Sequence, residues 1–262
     1  MYKLFNQSVF FIFTLVSALF VSCANAVVKP SIKVVTEFMP PLQMAKSGHQ
    51  IHGKVAQLVK AVTKETGLPH SIDVFPWARS YLWATTKPNV LIFPIIRTKE
   101  REDKFHWVGR VWSFSAQMYR LKGRKPIVIN KLEDAKNYNI AVYRDDFFHR
   151  YLLAQGFDES NLYPAAGIEQ SINLFLNKRV DLILVDSSIF EYYLKQYQRD
   201  IDEVESLFTL KNVKQNDAYI ALSKSTAPAI VELFKQSYQR VAASPEFADS
   251  LRDAVAVSAN TQ

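Results

Sequence analysis

Three short stretches of the chain are apolar on consecutive rather than alternate residues: IKVVT at 32–36, VLIFPII at 90–96 and, almost throughout, VDLILV at 180–185. A strand with one wet face alternates, whereas a strand buried on both faces does not, so these runs demand a layer of helices on each side of their sheet. The chain supplies such helices. Val55, Leu58, Val59 and Val62 form an i, i+3, i+4, i+7 stripe within 52–66 that Gly67 closes. A second helix is predicted over 77–85, with Pro76 suited to its first turn. Another falls at 168–177, and a long amphipathic one at 228–242 carries Ile230, Leu233, Phe234 and Tyr238. Strands alternating with helices give an α/β fold with mostly parallel sheets.

The pattern comes in two rounds. The first holds strands at 32–36, 71–75 and 90–96, the last expected to be cut short by Pro94, which has no N–H for a ladder. An extended run at 111–121 then leads into the polar break Lys122-Gly123-Arg124-Lys125-Pro126. The second round holds strands at 140–142, 162–163 and 180–185, with helices at 147–155, 168–177 and 187–197. A last strand is expected at 219–222 and a short helix ending near Val255. The expected organisation is two lobes, residues 27–121 with 218–262 and residues 122–217, preceded by a leader at 1–26.

That leader has Lys3, the apolar run Val9 to Val21 and Ala24-Asn25-Ala26: a positive start, an apolar stretch too short to span a bilayer, and a small-x-small cleavage site. Cleavage after Ala26 would export a chain beginning at Val27, to the periplasm. A retained anchor, or a lipid on Cys23 within Phe20-Val21-Ser22-Cys23, are the alternatives. Cys23 is the one cysteine of the chain, so no disulfide forms within it. The formal charge of +7 is scattered rather than blocked, which argues against nucleic-acid binding. No later stretch is long and apolar enough for stable membrane insertion.

Motifs for nucleotide binding, zinc or a serine nucleophile are missing: the sequence has no G-x-G-x-x-G, Walker loop, H-E-x-x-H or G-x-S-x-G. No cofactor or metal is expected. Asp145-Asp146 reads first as an N-cap for the helix at Phe147. What stands out is the end of the 90–96 strand, where seven of the eight residues from Arg97 to Lys104 are charged before Phe105 and Trp107 resume an apolar pattern. A solvated turn explains the charge, and a binding edge explains its position, because ligands of open α/β sheets sit beyond the carboxyl ends of strands.

Several segments in order carry a resemblance over nearly the whole exported chain. They are Glu37-Phe38-Met39-Pro40-Pro41 after the first strand, the turn Arg97-Thr98-Lys99-Glu100-Arg101 before Phe105-His106-Trp107, the strand entry Lys136 to Val142, and Asn177-Lys178-Arg179-Val180-Asp181 through Asp186. In these the chain resembles the type II periplasmic solute-binding proteins, specifically the polar amino-acid-binding family (extracellular solute-binding family 3). The resemblance implies two α/β lobes joined by two crossing strands, with a ligand in the cleft and hinge closure over it. It implies that Arg101 grips a ligand carboxylate, with Thr98 in the same turn, that Asp186 meets an amino group, and that Trp77 and Phe38 are aromatic walls. Each aromatic serves equally well as core, Asp186 can cap the helix at Ser187, and Arg101 can pair with Glu100 or Asp103. Two positions depart from the family: Ile96 stands where a Ser or Thr is common, and Tyr143-Arg144-Asp145-Asp146 replaces a Gly-Ser/Thr turn. Those acids repel an anion, although Arg144 could offset them, which puts a plain amino-acid ligand in question. The reading is an extracytoplasmic binder of a small polar ligand, an amino acid or related small molecule, that serves an inner-membrane ABC permease as a monomer. A periplasmic dehydratase-like enzyme, with Glu37 or Asp186 as proton donor, and a ligand sensor are the alternatives.

Overall fold

A computed structural model describes residues 29–46, 50–210 and 217–247. In chain order the elements are β1 (Ile32–Thr36), β2 (Met44–Lys46), β3 (Gln50–His52), α1 (Lys54–Glu65), β4 (His70–Val74), α2 (Trp77–Thr86), β5 (Val90–Ile96), β6 (Phe105–Ser113), β7 (Ala116–Leu121), β8 (Ile140–Tyr143), α3 (Phe147–Ala154), β9 (Leu162–Ala165), α4 (Ile168–Leu176), β10 (Leu182–Asp186), α5 (Ser187–Gln196), β11 (Val204–Thr209), β12 (Asp217–Ser223) and α6 (Pro228–Ala242). Two five-stranded sheets organise them. One has the order β4-β1-β5-β12-β6 and the other β11-β7-β10-β8-β9, with β2 and β3 as a separate hairpin.

The consecutive apolar residues of β1 and β5 are explained by what lies on either face. Ile32, Val34, Leu91 and Phe93 pack with Val55, Leu58 and Val62 of α1. Their neighbours Val35, Val90, Ile92 and Ile95 pack on the other face with Trp77 and Ala84 of α2. All seven residues of β5 are buried, which places it in the middle of the sheet. Gly53 opens α1 at φ 108°, and a Cβ there would lie 2.4 Å from the Leu42 carbonyl oxygen, so the turn out of the hairpin admits no side chain. At the other end, α6 returns to the first sheet, where the Tyr238 hydroxyl donates to the Arg110 carbonyl of β6 at 2.6 Å.

Three expectations change. Pro94 does not shorten β5: Ile95 and Ile96 still pair with Tyr219 and Ala218, and the register shift between Tyr219 and Ala221 absorbs the missing donor. The run at 111–121 is not one strand. β6 pairs with β12, whereas β7 pairs with β10 and β11. The chain therefore passes between sheets at Phe114 and Ser115, so the first lobe ends before β7 and not at Leu121. Only Phe114 and Ser115 separate the two strands, and no local residue preference marks the change of partner. The polar stretch from Lys122 is a turn at the far end of β7. Finally, β11 and the small hairpin were not anticipated. The leader, Cys23 and the helix expected near Val255 lie outside the described residues.

Candidate functional site

The turn after β5 separates its charges by burial. Arg101 lies in a 3-10 turn, Lys99–Lys104, and only 8% of it is exposed. Its Nη1 donates back to the Ile96 carbonyl at 3.0 Å. Its guanidinium carbon lies 5.4 Å from the ring centres of both Trp77 and Tyr81, a cation–π setting on two sides. Burial draws its pKa down, while the charges of Tyr81 and Asp146 oppose that shift. Arg97 instead stays at the surface, paired with Glu102 through Nε at 2.8 Å and laid against Trp107 and Tyr219. Glu102 is therefore the acid that satisfies a turn arginine, and neither Glu100 nor Asp103 forms an ion pair with Arg101.

The second sheet presents three groups to the same cleft. Tyr143 ends β8 and packs into the first lobe's cluster around Val35 and Trp77. Asp146 caps α3, accepting from the His149 backbone N–H at 2.7 Å. Asp186 ends β10 and caps α5. It is 3% exposed; Oδ1 accepts from Ser188 N, Ser188 Oγ and Ile189 N at 2.9, 2.5 and 3.3 Å, and Oδ2 accepts from Ser115 N at 2.7 Å. The last bond ties α5 to the point where the chain crosses between sheets.

Opposite them stands Glu37, at the carboxyl end of β1 and 6% exposed. Burial pushes its carboxyl up to about 8; a hydrogen bond with Tyr143 lowers it, Asp146 raises it further and Arg101 lowers it. Asp146 is pushed up to about 7 by burial, against the backbone N–H groups of His149 and Phe148 and the charge of Arg101. The Tyr143 hydroxyl, supported by the Trp77 backbone N–H, holds its proton well above the usual phenol range because it is buried and beside Glu37. Tyr143, from the second sheet, thus meets Glu37 of the first across the cleft.

These groups surround a cavity of about 60 Å³. Of the residues proposed from sequence, Arg101, Trp77, Ile96 and Asp186 line it together. Phe38, Thr98 and Arg144 do not. Phe38 is 46% exposed, and its neighbour Met39 takes the wall instead. Thr98 begins the turn, accepting at its carbonyl from Arg101 N at 3.0 Å. Arg144 points to the surface and donates to the Pro164 carbonyl at 3.3 Å. Not among the ligand contacts proposed from sequence are Glu37, named there only as a proton donor for the enzymatic alternative, and Tyr143 and Asp146, whose segment was read as a helix cap and as a departure from the family's turn. Each lies at or just beyond the carboxyl end of a buried strand, the same rule that singled out Arg101. No group of His, Cys, Asp or Glu side chains among the described residues is arranged to hold a metal ion, and no described helix is long and apolar enough to cross a membrane.

No protein-family model matches the sequence, and no curated protein matches it either. Solved structures do match in shape. The sensor domain of a histidine kinase, described as similar to periplasmic binding proteins, superimposes with a TM-score of 0.70 at 14% identity, over 89% of this chain and 96% of that one. An ancestral arginine-binding protein bound to arginine gives 0.70 at 15%, over 85% and 96%. The arginine-, lysine-, histidine-binding protein ArtJ from Geobacillus stearothermophilus gives 0.69 at 16%, over 86% and 94%. At such identities the likeness is one of fold: two lobes of mixed α/β structure, as in periplasmic binding proteins.

Proposed function

We propose that this chain is an exported solute-binding protein that closes its two lobes over a small polar ligand, an amino acid or related small molecule, and delivers it to an ABC permease. The observation that carries the reading is Arg101: a guanidinium held on two aromatic faces, with its edge turned into a cavity that residues of both sheets line. A side chain so fixed loses little entropy on binding, and its N–H groups make directional bonds to an acceptor on the ligand. Trp77 and Ile96 form the apolar wall beside it, and Asp186 fixes the helix end that closes the far side. The amino-acid-binding proteins among the structural matches support the class of ligand, and the leader pattern supports export, with a mature chain starting at Val27.

The test is a thermal-shift screen of the purified protein across amino acids, amino-acid amides, amines, small acids, sugars and short peptides, followed by calorimetric titration of any hit. A specific ligand with a Kd in the micromolar range or below, lost on Arg101→Ala, is the expected result. A screen in which no solute shifts the transition would overturn the proposal. A second reading has one observation behind it. The histidine kinase sensor domain covers the same share of fold, so the same capture of a solute could be read by a membrane partner that signals rather than transports. Deleting the gene and measuring uptake of the identified ligand separates the two.

A further inference from the structure

The cavity wall contains one guanidinium and three carboxyl groups, and the three are not equivalent. Both oxygens of Asp186 are taken by four donors of the chain, so it offers little to a solute. Glu37 is buried at the end of β1 and has the Tyr143 hydroxyl as its side-chain partner. A carboxylate has two oxygens and about four acceptor directions, so one hydroxyl leaves acceptor capacity for a solute in the cavity that Glu37 lines. Asp146 accepts from the His149 backbone N–H through one oxygen, and its charge acts across the cleft on Arg101.

We infer that the solute of this cleft is an amine without a free carboxylate: its cationic nitrogen is taken by Glu37 and Asp146, its uncharged carbonyl or hydroxyl oxygen by Arg101, and Asp146 is the residue that rejects an anion. The inference rests on the binding function proposed above and narrows its ligand. The charge count gives the reason. A carboxylate brought to Arg101 would lie against Asp146, and two carboxylates sharing one small site cannot both stay ionised cheaply. An ammonium group meets two carboxyls against the one guanidinium that lines the cavity, with Arg150 acting on that guanidinium from outside the lining, and gains. Arg101 then needs only an acceptor, which an amide or alcohol provides without added charge. Asp146 is faced by Arg101 from the turn after β5, by its neighbour Asp145, and by the N–H groups of Phe148 and His149. Glu37 is faced by Tyr143, Asp146 and Arg101. Burial raises both acids, and an ammonium placed between them reverses both shifts.

Matched pairs test this directly. Amino acids and the corresponding amino-acid amides differ by one negative charge and keep the same side chain, amine and carbonyl. Calorimetric titration of the full exported chain should find an amide bound roughly a hundredfold more tightly than its parent acid, the scale of a like-charge clash in a binding site. Asp146→Ser keeps a capping oxygen for α3 and should close most of that gap by letting the acid bind, with circular dichroism confirming the fold. A parent acid that binds the unaltered protein as tightly as its amide overturns the inference, as does an amide-to-acid ratio that Asp146→Ser leaves unchanged. If no amine binds but the wider screen yields a simple acid or a sugar, the amine inference falls while the solute-binding function stands. If nothing binds at all, the function itself falls.

Discussion

Asp186 ends β10 and caps α5, and Asp146 follows β8 and caps α3. Because β8 and β10 pair in one sheet, the two aspartates stand at adjacent strand ends, do the same job for their helices, and line the same cavity. They differ in how many donors the chain brings to each. Asp186 accepts from Ser115, from Ile189 and twice from Ser188, so it holds a helix and an inter-sheet crossing together. Asp146 accepts from the backbone N–H of His149, with that of Phe148 beside it, and turns the rest of its charge toward Arg101. A capping aspartate is thus a structural part when its neighbours saturate it and a recognition group when they do not. The distinction lies in the surroundings and not in the residue type.

The largest effect that would test this contrast is a pH dependence of stability. Glu37 and Asp146 have folded pKa values of about 8 and about 7, above their ordinary 4.5 and 3.8. Between those limits the folded chain keeps protons that the unfolded chain has lost. Their contribution to stability is therefore fully present below the ordinary carboxylate range, and it is lost as pH rises through 7 and then 8. Each tenfold change in proton affinity corresponds to about 1.4 kcal/mol, so the combined effect is on the order of several kcal/mol. Urea denaturation should show a less stable protein at about pH 8.5 than at about pH 5.5, and the paired substitutions Glu37→Gln and Asp146→Asn should flatten the slope. A slope that survives both would mean that the cleft acids are better solvated than their burial implies.

Next in size is Asp186→Ala. It removes a cap and leaves the Ser115 N–H, at the crossing between sheets, without its acceptor. Lost charge-assisted hydrogen bonds and a lost cap together cost about 3 kcal/mol, read as a lower urea midpoint at an unchanged slope. Asp146→Ala should cost at most about 1 kcal/mol, the usual value for a cap, because losing a disfavoured charge offsets that cost above the ordinary carboxylate range. Equal losses for the two would erase the distinction between them.

Arg101→Ala comes third and acts on binding. Hydrogen bonds to a charged group are worth roughly 1.5–3 kcal/mol, so affinity for the ligand found by screening should fall by one to two decades. The turn should persist, because its backbone bond from Arg101 N to the Thr98 carbonyl does not need the side chain. Titration at a fixed pH decides. Unchanged affinity would place the ligand away from the aromatic pair of Trp77 and Tyr81.

How much of this was legible beforehand follows the same line between residue type and surroundings. The order of strands and helices was readable because it depends on periodicity, and α6 begins and ends where its pattern does, Pro228–Ala242. Arg101 stood out because a buried strand cannot run straight into charge without a reason at its end. The crossing at Phe114 and Ser115 was hidden, since only these two residues separate β6 from β7 and neither signals a change of sheet partner. Arg144 was expected to answer the acids beside it, yet it donates to the Pro164 carbonyl on the surface. Phe38 and Met39 are consecutive apolar residues in one loop, and only the fold determines that Met39 faces inward. Glu37 was named from sequence only as a proton donor for the enzymatic alternative, and not as a ligand contact. It becomes informative only once it is known to be buried against Tyr143.

The smallest expected effect is the sharpest on the comparison of the two aspartates. At about pH 3, below its ordinary value of 3.8 as well as its folded value of about 7, Asp146 is mostly protonated in the folded and the unfolded chain alike, so Asp146→Ser there exchanges one neutral cap for another. Ser ranks close to Asp at an N-cap, and its oxygen can take the His149 N–H. The change in stability should stay within about 0.5 kcal/mol. At about pH 8.5 the same substitution removes a half-buried charge that the folded state tolerates poorly, so the variant should equal or exceed the parent protein in stability. Asp186→Ser cannot behave this way, because one hydroxyl cannot accept from four donors divided between a helix end and the crossing segment. Urea titrations of both variants at the two pH values give four numbers. A loss above about 1 kcal/mol for Asp146→Ser at the lower pH, where no charge is at stake, would show that the chain holds this carboxyl as firmly as it holds Asp186. Asp146 would then be a structural cap, and Arg101 would face the cleft without a counter-charge committed to a ligand.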